Sequence, residues 1–155
     1  IIPLASIVSP LIDFIFAFAI LGGLFAWYGR APDWHAIAIP VFLGVALLTA
    51  FGVGLWLSSL NVRYRDIPYA IPFITQIWLY ATPVIYPVSM IPRDWRWLIA
   101  LNPMTGVVEA FRWSVLGRGQ PHYAVFAVST LVGICLTASG LWYFRRTERH
   151  FADII

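Results

Sequence analysis

Apolar residues in this chain form long uninterrupted stretches, and polar residues gather at the ends of those stretches. Four stretches are near or above the roughly 18 residues that a helix needs to cross the hydrocarbon core of a membrane. They run from about Leu4 to Tyr28, Ala36 to Leu60, Ala70 to Val88, and His122 to Phe144. The pattern predicts an all-α polytopic membrane protein with four transmembrane helices, forming a single transmembrane domain over residues 1–155.

The third stretch carries prolines at 72, 83 and 87, and Pro92 follows it. Proline removes a backbone donor and clashes with the preceding helical turn, so this helix is expected to kink or end between Thr82 and Pro87. Broken backbone at membrane depth persists only where protein or a water-filled cavity satisfies the released groups. This stretch is therefore a candidate pathway segment.

Residues 90–119 contain two apolar runs, each too short to cross a membrane, together with several arginines and tryptophans. Asn102 followed by Pro103 is typical of a helix start, with an N-cap and a proline at the first helical position. Gly117 is expected to lie near the end of that helix. The pattern predicts two short re-entrant or interfacial helices on one membrane face.

Small residues recur at every fourth position in two of the predicted spans: Ala46, Ala50 and Gly54 in the second, and Ser129, Gly133 and Thr137 in the fourth. Small side chains at this spacing let helices approach closely in lipid, where packing replaces the hydrophobic effect as the driving force. The alternative is that alanine and glycine are simply common in such helices.

Composition agrees with a membrane protein, because 61% of residues are hydrophobic and 11% are charged, against roughly 25% charged in an average soluble domain. All ten basic residues are arginines. A GxxxxGK[ST] phosphate-binding loop needs a lysine, so any nucleotide that drives this protein is expected on another subunit. The arginines form no long run, which argues against nucleic-acid binding.

The chain offers little for metal or cofactor chemistry. Cys135 is its single cysteine, and His35, His122 and His150 are far apart in sequence. No metal-ligand spacing appears, so no cofactor is expected.

The arginines fall into two groups of five, so their number alone does not show which membrane face is cytoplasmic. One face carries Arg63, Arg65, Arg145, Arg146 and Arg149, and the other carries Arg30, Arg93, Arg96, Arg112 and Arg118. The first group is denser. By the positive-inside rule, the 61–70 loop and the tail are expected in the cytoplasm.

Two acidic residues stand out within apolar surroundings. Asp13 lies within the first span, where a carboxylate costs about 2.5–3.5 kcal/mol on insertion scales, so it is expected to face protein, water or a nearby membrane interface. Glu109 and Arg112 are three residues apart and are expected to pair on one helix face, in a structural rather than catalytic role.

The run LNVRYRDIPYAIPFITQIWLYATPVIYPVSMIPRDWRWLIALNPMTGVVEAFRW and the tail YFRRTERHFADII resemble the permease subunits of ABC-2 type exporters. The likeness is to the branch that moves O-antigen, capsular polysaccharide and teichoic acid. It implies a six-span permease that works as a homodimer with two ATP-hydrolysing subunits, of which this chain resembles spans three to six. The opening IIPLASIVSP has no initiator methionine and no basic leader, so the chain is expected to begin within a longer protein.

The resemblance also implies roles for particular residues. Asn61 to Tyr69 would be a cytoplasmic loop facing the ATPase subunit, with contacts from Arg63, Arg65 and Asp66, although arginines at a helix end also serve as membrane anchors. The region from Tyr80 to Gly117 would form the outer gate. The expected pathway or gate residues are Asp13, Tyr80, Tyr86, Trp95, Trp97, Glu109, Arg112 and Trp113. The aromatic rings among them fit either sugar faces or the membrane interface.

The function implied by the resemblance is export of a lipid-linked polysaccharide across the bacterial inner membrane, driven by ATP hydrolysis on a partner subunit, with no enzyme activity in this chain. An ABC-2 exporter of drugs or small lipids is an alternative, since one fold serves many substrates. A membrane enzyme acting on polyprenyl-linked sugars is a further alternative. It would need converging acids, bases or metal ligands.

Overall fold

The computed structural model describes residues 2–29, 34–64, 66–117 and 123–151, with the side chains of 2–11, 93 and 149–151 left out. Within these ranges the chain forms helices and no strands, which confirms the all-α prediction. The helices are α1 (Ile2–Trp27), α2 (Ile39–Arg63), α3 (Ile67–Ala81), α4 (Arg93–Ala100), α5 (Pro103–Leu116) and α6 (Tyr123–Phe151). Short 3-10 helices cover Trp34–Ala38 and Val88–Met90.

Two helical segments of the described chain are long and apolar enough to cross a membrane, Trp34–Arg63 and Tyr123–Glu148. They correspond to the predicted second and fourth spans; His122, the predicted start of the fourth, lies outside the described residues. The helix α1 covers the first predicted span, and its described side chains form a shorter apolar segment, Ile12–Trp27. The four-span arrangement as a whole stays a prediction.

The third predicted span is helical over only part of its length. α3 has 15 residues and stops at Ala81, and the amide of Thr82 closes its last turn by donating to Trp78 O at 2.9 Å. The helix therefore ends where the prolines predicted. Residues 82–87, between α3 and the second 3-10 helix, form turns and bends, because Pro83 and Pro87 have no amide hydrogen to donate to a helix.

The packed centre of the fold is a parallel pair formed by α2 and α6. Thr137 Oγ1 lies 2.9 Å from Leu48 O, and the rings of Trp56 and Tyr143 stack with centroids 4.7 Å apart. Nearer the start of both helices, the rings of Phe42 and Phe126 meet edge to face. Contacts that advance in the same direction along both helices require the two to run parallel.

Gly133 and Thr137 of α6 lie in this contact, whereas Gly54 and Ala50 of α2 do not, and Ala46 packs against the core around Phe42 instead. A Cβ atom built at Gly133 would lie 2.7 Å from Thr49 Oγ1, but one built at Gly54 would meet nothing within 4 Å. Ala50 is exposed as well. The contact face of α2 is a neighbouring one, containing Thr49 and Gly52. Positions four apart rotate steadily around a helix, so spacing alone did not identify the face that a partner covers.

The helices α4 and α5 form a hairpin whose turn packs against α6. The Ser129 hydroxyl lies 3.0 Å from Ala100 O and 3.1 Å from Asn102 O, and it accepts a hydrogen bond from Gly106 N. α5 then runs back toward the start of α2, where the Trp113 ring lies 4.2 Å from that of His35. The prediction of two short helices in residues 90–119 is confirmed.

The α2–α6 contact gives a test with a matched control two residues away. A Cβ atom at Gly52 would lie 2.8 Å from Thr137 Cα, so Gly52→Ala should force the helices apart and lower the free energy of unfolding by roughly 1–3 kcal/mol. Gly54→Ala meets open space and should be neutral or stabilising by up to about 1 kcal/mol, through helix propensity. Thermal unfolding in detergent measures both variants. Equal stability of the two would contradict the assigned packing face.

Candidate gate site

The segment 82–88, between α3 and the hairpin, is a break in the helical backbone that must find hydrogen-bond partners outside a helix. Thr82 and Pro83 are buried, and Val88 is fully buried. Buried backbone N–H and C=O groups cost free energy when they are left unpaired, most of all in lipid. Side chains of α5 supply the missing partners.

Glu109 and Arg112 form an ion pair that bonds directly to this segment. Arg112 Nη1 donates to Glu109 Oε1 at 2.9 Å, and the same oxygen accepts the amide of Val88 at 2.9 Å. Arg112 Nη2 donates to the carbonyls of Pro83 at 3.2 Å and Val84 at 2.9 Å. The predicted pairing is confirmed. The same contacts satisfy three backbone groups of the broken segment.

Asn102 joins the end of α3 to the start of α5. Its Oδ1 accepts the amide of Met104 at 3.0 Å, which confirms the predicted N-cap. Its Nδ2 donates to Thr82 Oγ1 at 2.8 Å and lies 3.5 Å from Ala81 O. The sequence pattern does not indicate this second role. Its only sign in the sequence is the residue type. Asparagine can cap the helix with Oδ1 and donate a hydrogen bond from Nδ2 at the same time, whereas aspartate is an equally good cap without such a donor and serine has a single hydroxyl for both roles.

These side chains belong to one stripe of α5, which we call the polar seam: Asn102, Thr105, Glu109 and Arg112. Their spacing of three and four residues places them on one helix face. Thr105 is fully buried, and its hydroxyl has no hydrogen-bond partner among the described residues. The predicted end of α5 is also confirmed: Gly117 has φ 60° and donates its amide to Trp113 O.

The predicted gate aromatics lie in three places around the seam. Tyr80 is exposed at the end of α3, and Tyr86 donates its hydroxyl to Tyr80 O at 3.2 Å. Trp95 and Trp97 are 60% and 65% exposed on α4, so the protein does not cover them. Trp113, four residues after Glu109, lies beside the seam, with its ring against that of His35. The structure thus brings Tyr80 and Tyr86 together and leaves the tryptophans apart from them.

Two further side chains near this region were not assigned a contact from the sequence. His35 lies between the rings of Trp34 and Trp113, with centroid distances of 4.1 and 4.2 Å. Arg96 donates from Nε to Ile91 O at 3.0 Å and from Nη2 to Ser89 O at 3.2 Å. Arg96 therefore supports the short 3-10 helix in the way that Arg112 supports the segment before it.

Asp13 lies apart from the polar seam. It is exposed in the middle of α1, and no described residue forms a hydrogen bond or ion pair with it. Its neighbours Phe14 and Phe18 meet Phe111 of α5 edge to face, with centroids 6.0 and 6.4 Å apart. Among the described residues, no group of three or more histidine, cysteine, aspartate or glutamate side chains could hold a metal.

The proposed ATPase-facing residues lie at the opposite end of the molecule from the hairpin. Arg63 is exposed at the end of α2, with its guanidinium carbon 5.8 Å from the centroid of the Tyr64 ring. Asp66 is exposed just before α3 and makes no capping hydrogen bond. Arg65 lies outside the described residues. Because α2 and α6 are parallel, Arg63 shares this end with Arg145 and Arg146.

The chain is similar to known transporter proteins. Residues 2–116 match the family model described as ABC-2 type transporter. Similar curated proteins include two O-antigen export system permease proteins RfbA from Klebsiella pneumoniae, 26% and 25% identical over 156 residues, and one from Myxococcus xanthus, 29% identical over 161 residues. Each alignment covers 100% of this chain and 60% of the relative. The chain thus spans about 60% of the length of these relatives.

The polar seam predicts a strong effect of removing the arginine. Arg112→Ala should lower the free energy of unfolding by roughly 2 kcal/mol, because it leaves two backbone carbonyls and a carboxylate without their partner. The loss stays below the ~3–5 kcal/mol of a fully buried pair, since the two side chains are 26% and 15% exposed. Arg145→Ala, at an exposed position, is the matched control. Equal unfolding temperatures for the two variants would contradict the structural role.

Proposed function

The chain belongs to the ABC-2 type transporter family, and from that premise we propose that it is permease machinery of an ABC exporter. The proposed substrate is a lipid-linked polysaccharide of the O-antigen, capsule or teichoic acid type, moved across the bacterial inner membrane. The substrate class is supported by the relatives, which are named O-antigen export permeases. ATP hydrolysis is assigned to a partner subunit, and a second permease copy completes the path.

The observation that carries the gate assignment is the polar seam. It holds a proline-broken backbone in place beside a hairpin whose helices contain 8 and 14 residues. At 1.5 Å per residue these helices extend about 12 and 21 Å, less than the ~30 Å hydrocarbon core. Neither helix is long enough to cross by itself, and we propose that the hairpin enters and leaves the membrane on one side as the outer gate.

The parallel pair α2 and α6 supports the four-span arrangement. Two consecutive membrane-crossing helices can be parallel only when the chain between them crosses back. α3 is the longest helix between them, and its ~22 Å falls short of a full crossing. The chain continues past the end of α3 through residues 82–88, where Thr82 bonds to Asn102 at the start of α5, and Val84 and Val88 bond to Arg112 and Glu109 farther along that helix. We propose that this non-helical segment, held by the seam, completes the crossing that α3 begins.

At the opposite end, the proposed ATPase contact is the turn between α2 and α3. This turn carries Arg63, Arg65 and Asp66, and charged groups at an exposed corner can pair with a partner protein. Membrane anchoring explains the same arginines without a partner.

Cysteine labelling tests the proposed orientation in a Cys135→Ser background. Cysteines at Asn61 and Glu148, both exposed at the same end of the α2–α6 pair, should react with a membrane-impermeant maleimide from the cytoplasmic side only. A cysteine at Gln120 should react from the outside only. Reaction of positions 120 and 148 from the same side would overturn the four-span arrangement.

Charge reversal tests the proposed ATPase contact in the full-length permease with its ATPase subunit. Arg63→Glu combined with Arg65→Glu should leave the permease in the membrane and reduce export several-fold relative to ATP hydrolysis, because like charges would replace the contact. The control is Arg145→Glu combined with Arg146→Glu, which reverses two charges on the same membrane face. Unchanged export, or an equal loss of membrane insertion in both double variants, would mean that the turn serves only to orient the chain in the membrane.

A further inference from the structure

Between its two ends, α3 packs only loosely against the rest of the described chain. None of its residues is buried, and Tyr69 and Phe73 are 84% and 68% exposed. An open groove of about 530 Å³ lies between it and α6, with Ile77 and Trp78 on one wall and Leu136 on the other. Few buried contacts and adjacent empty space are the marks of an element that moves at low cost.

The two ends of α3 are attached to the two regions that an exporter must connect. At its start, the amide of Ile67 donates to Tyr64 O at 3.3 Å, which ties it to the turn that carries Arg63 and Asp66. At its end, the Asn102 side chain holds Thr82 and caps α5. The amide therefore bonds to the last turn of α3 on one side and to the first turn of α5 on the other.

We propose that α3 transmits displacement of the α2–α3 turn to the α4–α5 hairpin, and that the Asn102–Thr82 hydrogen bond is the joint between them. The inference rests on the proposed exporter function and adds to it the residue pair that couples its two ends. A helix of 15 residues is stiff enough to carry a shift along its length. A shift at Thr82 acts directly on the amide that fixes the start of α5.

If Asn102 served only to cap α5, loss of its hydrogen bond to Thr82 would not affect transport. The two roles use different atoms: Oδ1 caps α5 and Nδ2 holds Thr82. Thr82→Val removes the acceptor with little change of shape and leaves the cap intact. Thr82→Ser keeps the hydroxyl and is the matched control. Position 82 has an extended backbone, with φ −92° and ψ 132°, which suits the β-branched side chain of valine.

The test uses the full-length permease with its ATPase subunit in a Cys135→Ser background. Thr82→Val should reduce polysaccharide export about five-fold at an unchanged rate of ATP hydrolysis, as expected for loss of one hydrogen bond. Thr82→Ser should export at close to the unaltered rate. Spin labels at Tyr80 and Leu101, both exposed, should keep a constant separation through the ATP cycle, while the separation from Tyr80 to Leu131 of α6 changes.

In Thr82→Val the separation between positions 80 and 101 should vary with nucleotide. Unchanged export by Thr82→Val, or a constant 80–101 separation in that variant, would overturn the joint while leaving the exporter function standing. Absence of export and of any ATP-dependent distance change in the unaltered permease would overturn the proposed function, and the joint with it.

Discussion

The hydrogen bonds from Arg112 and Glu109 to the backbone of residues 83–88 are the constraint on which the rest of this structure depends. Two prolines prevent a continuous helix, so three backbone groups must find partners from elsewhere. The ion pair supplies them at distances between 2.9 and 3.2 Å. With those groups satisfied, α3 can stop at Ala81 and the hairpin can occupy the space beyond it.

A rigid frame holds the seam in position. The parallel helices α2 and α6 approach closely because Gly52 and Gly133 present no side chain, and Ser129 fixes the hairpin turn with one hydroxyl. A Cβ at Gly106 would lie 2.7 Å from Phe126 Cα, so α5 also depends on a missing side chain. This close backbone approach fixes where the hairpin lies along α6, and at that position Asn102 is level with the end of α3.

Features that depend on neighbouring residues could be predicted from the sequence, and those that depend on distant ones could not. The α3 break, the Asn102 cap, the Gly117 end and the Glu109–Arg112 pair each follow from a few consecutive residues. The bonds from Arg112 to Pro83 and from Asn102 to Thr82 join positions about 20–30 apart, and no local spacing indicates them. For the same reason, spacing alone did not indicate that Gly52, and not Gly54, faces α6.

Arg112 and Asn102 differ in how they would respond to movement of the segment they hold. Arginine has a long side chain with several donors in a planar fork, so it can follow a carbonyl through a small displacement and keep its bonds. Asparagine is short, and its other end is fixed to the α5 cap, so a displacement at Thr82 must either move α5 or break the bond. In the proposed exporter, the seam would therefore combine a compliant contact, which keeps the broken backbone hydrogen-bonded, with a stiff one, which transmits motion. An exporter gate needs both, because its backbone must stay hydrogen-bonded while its helices move.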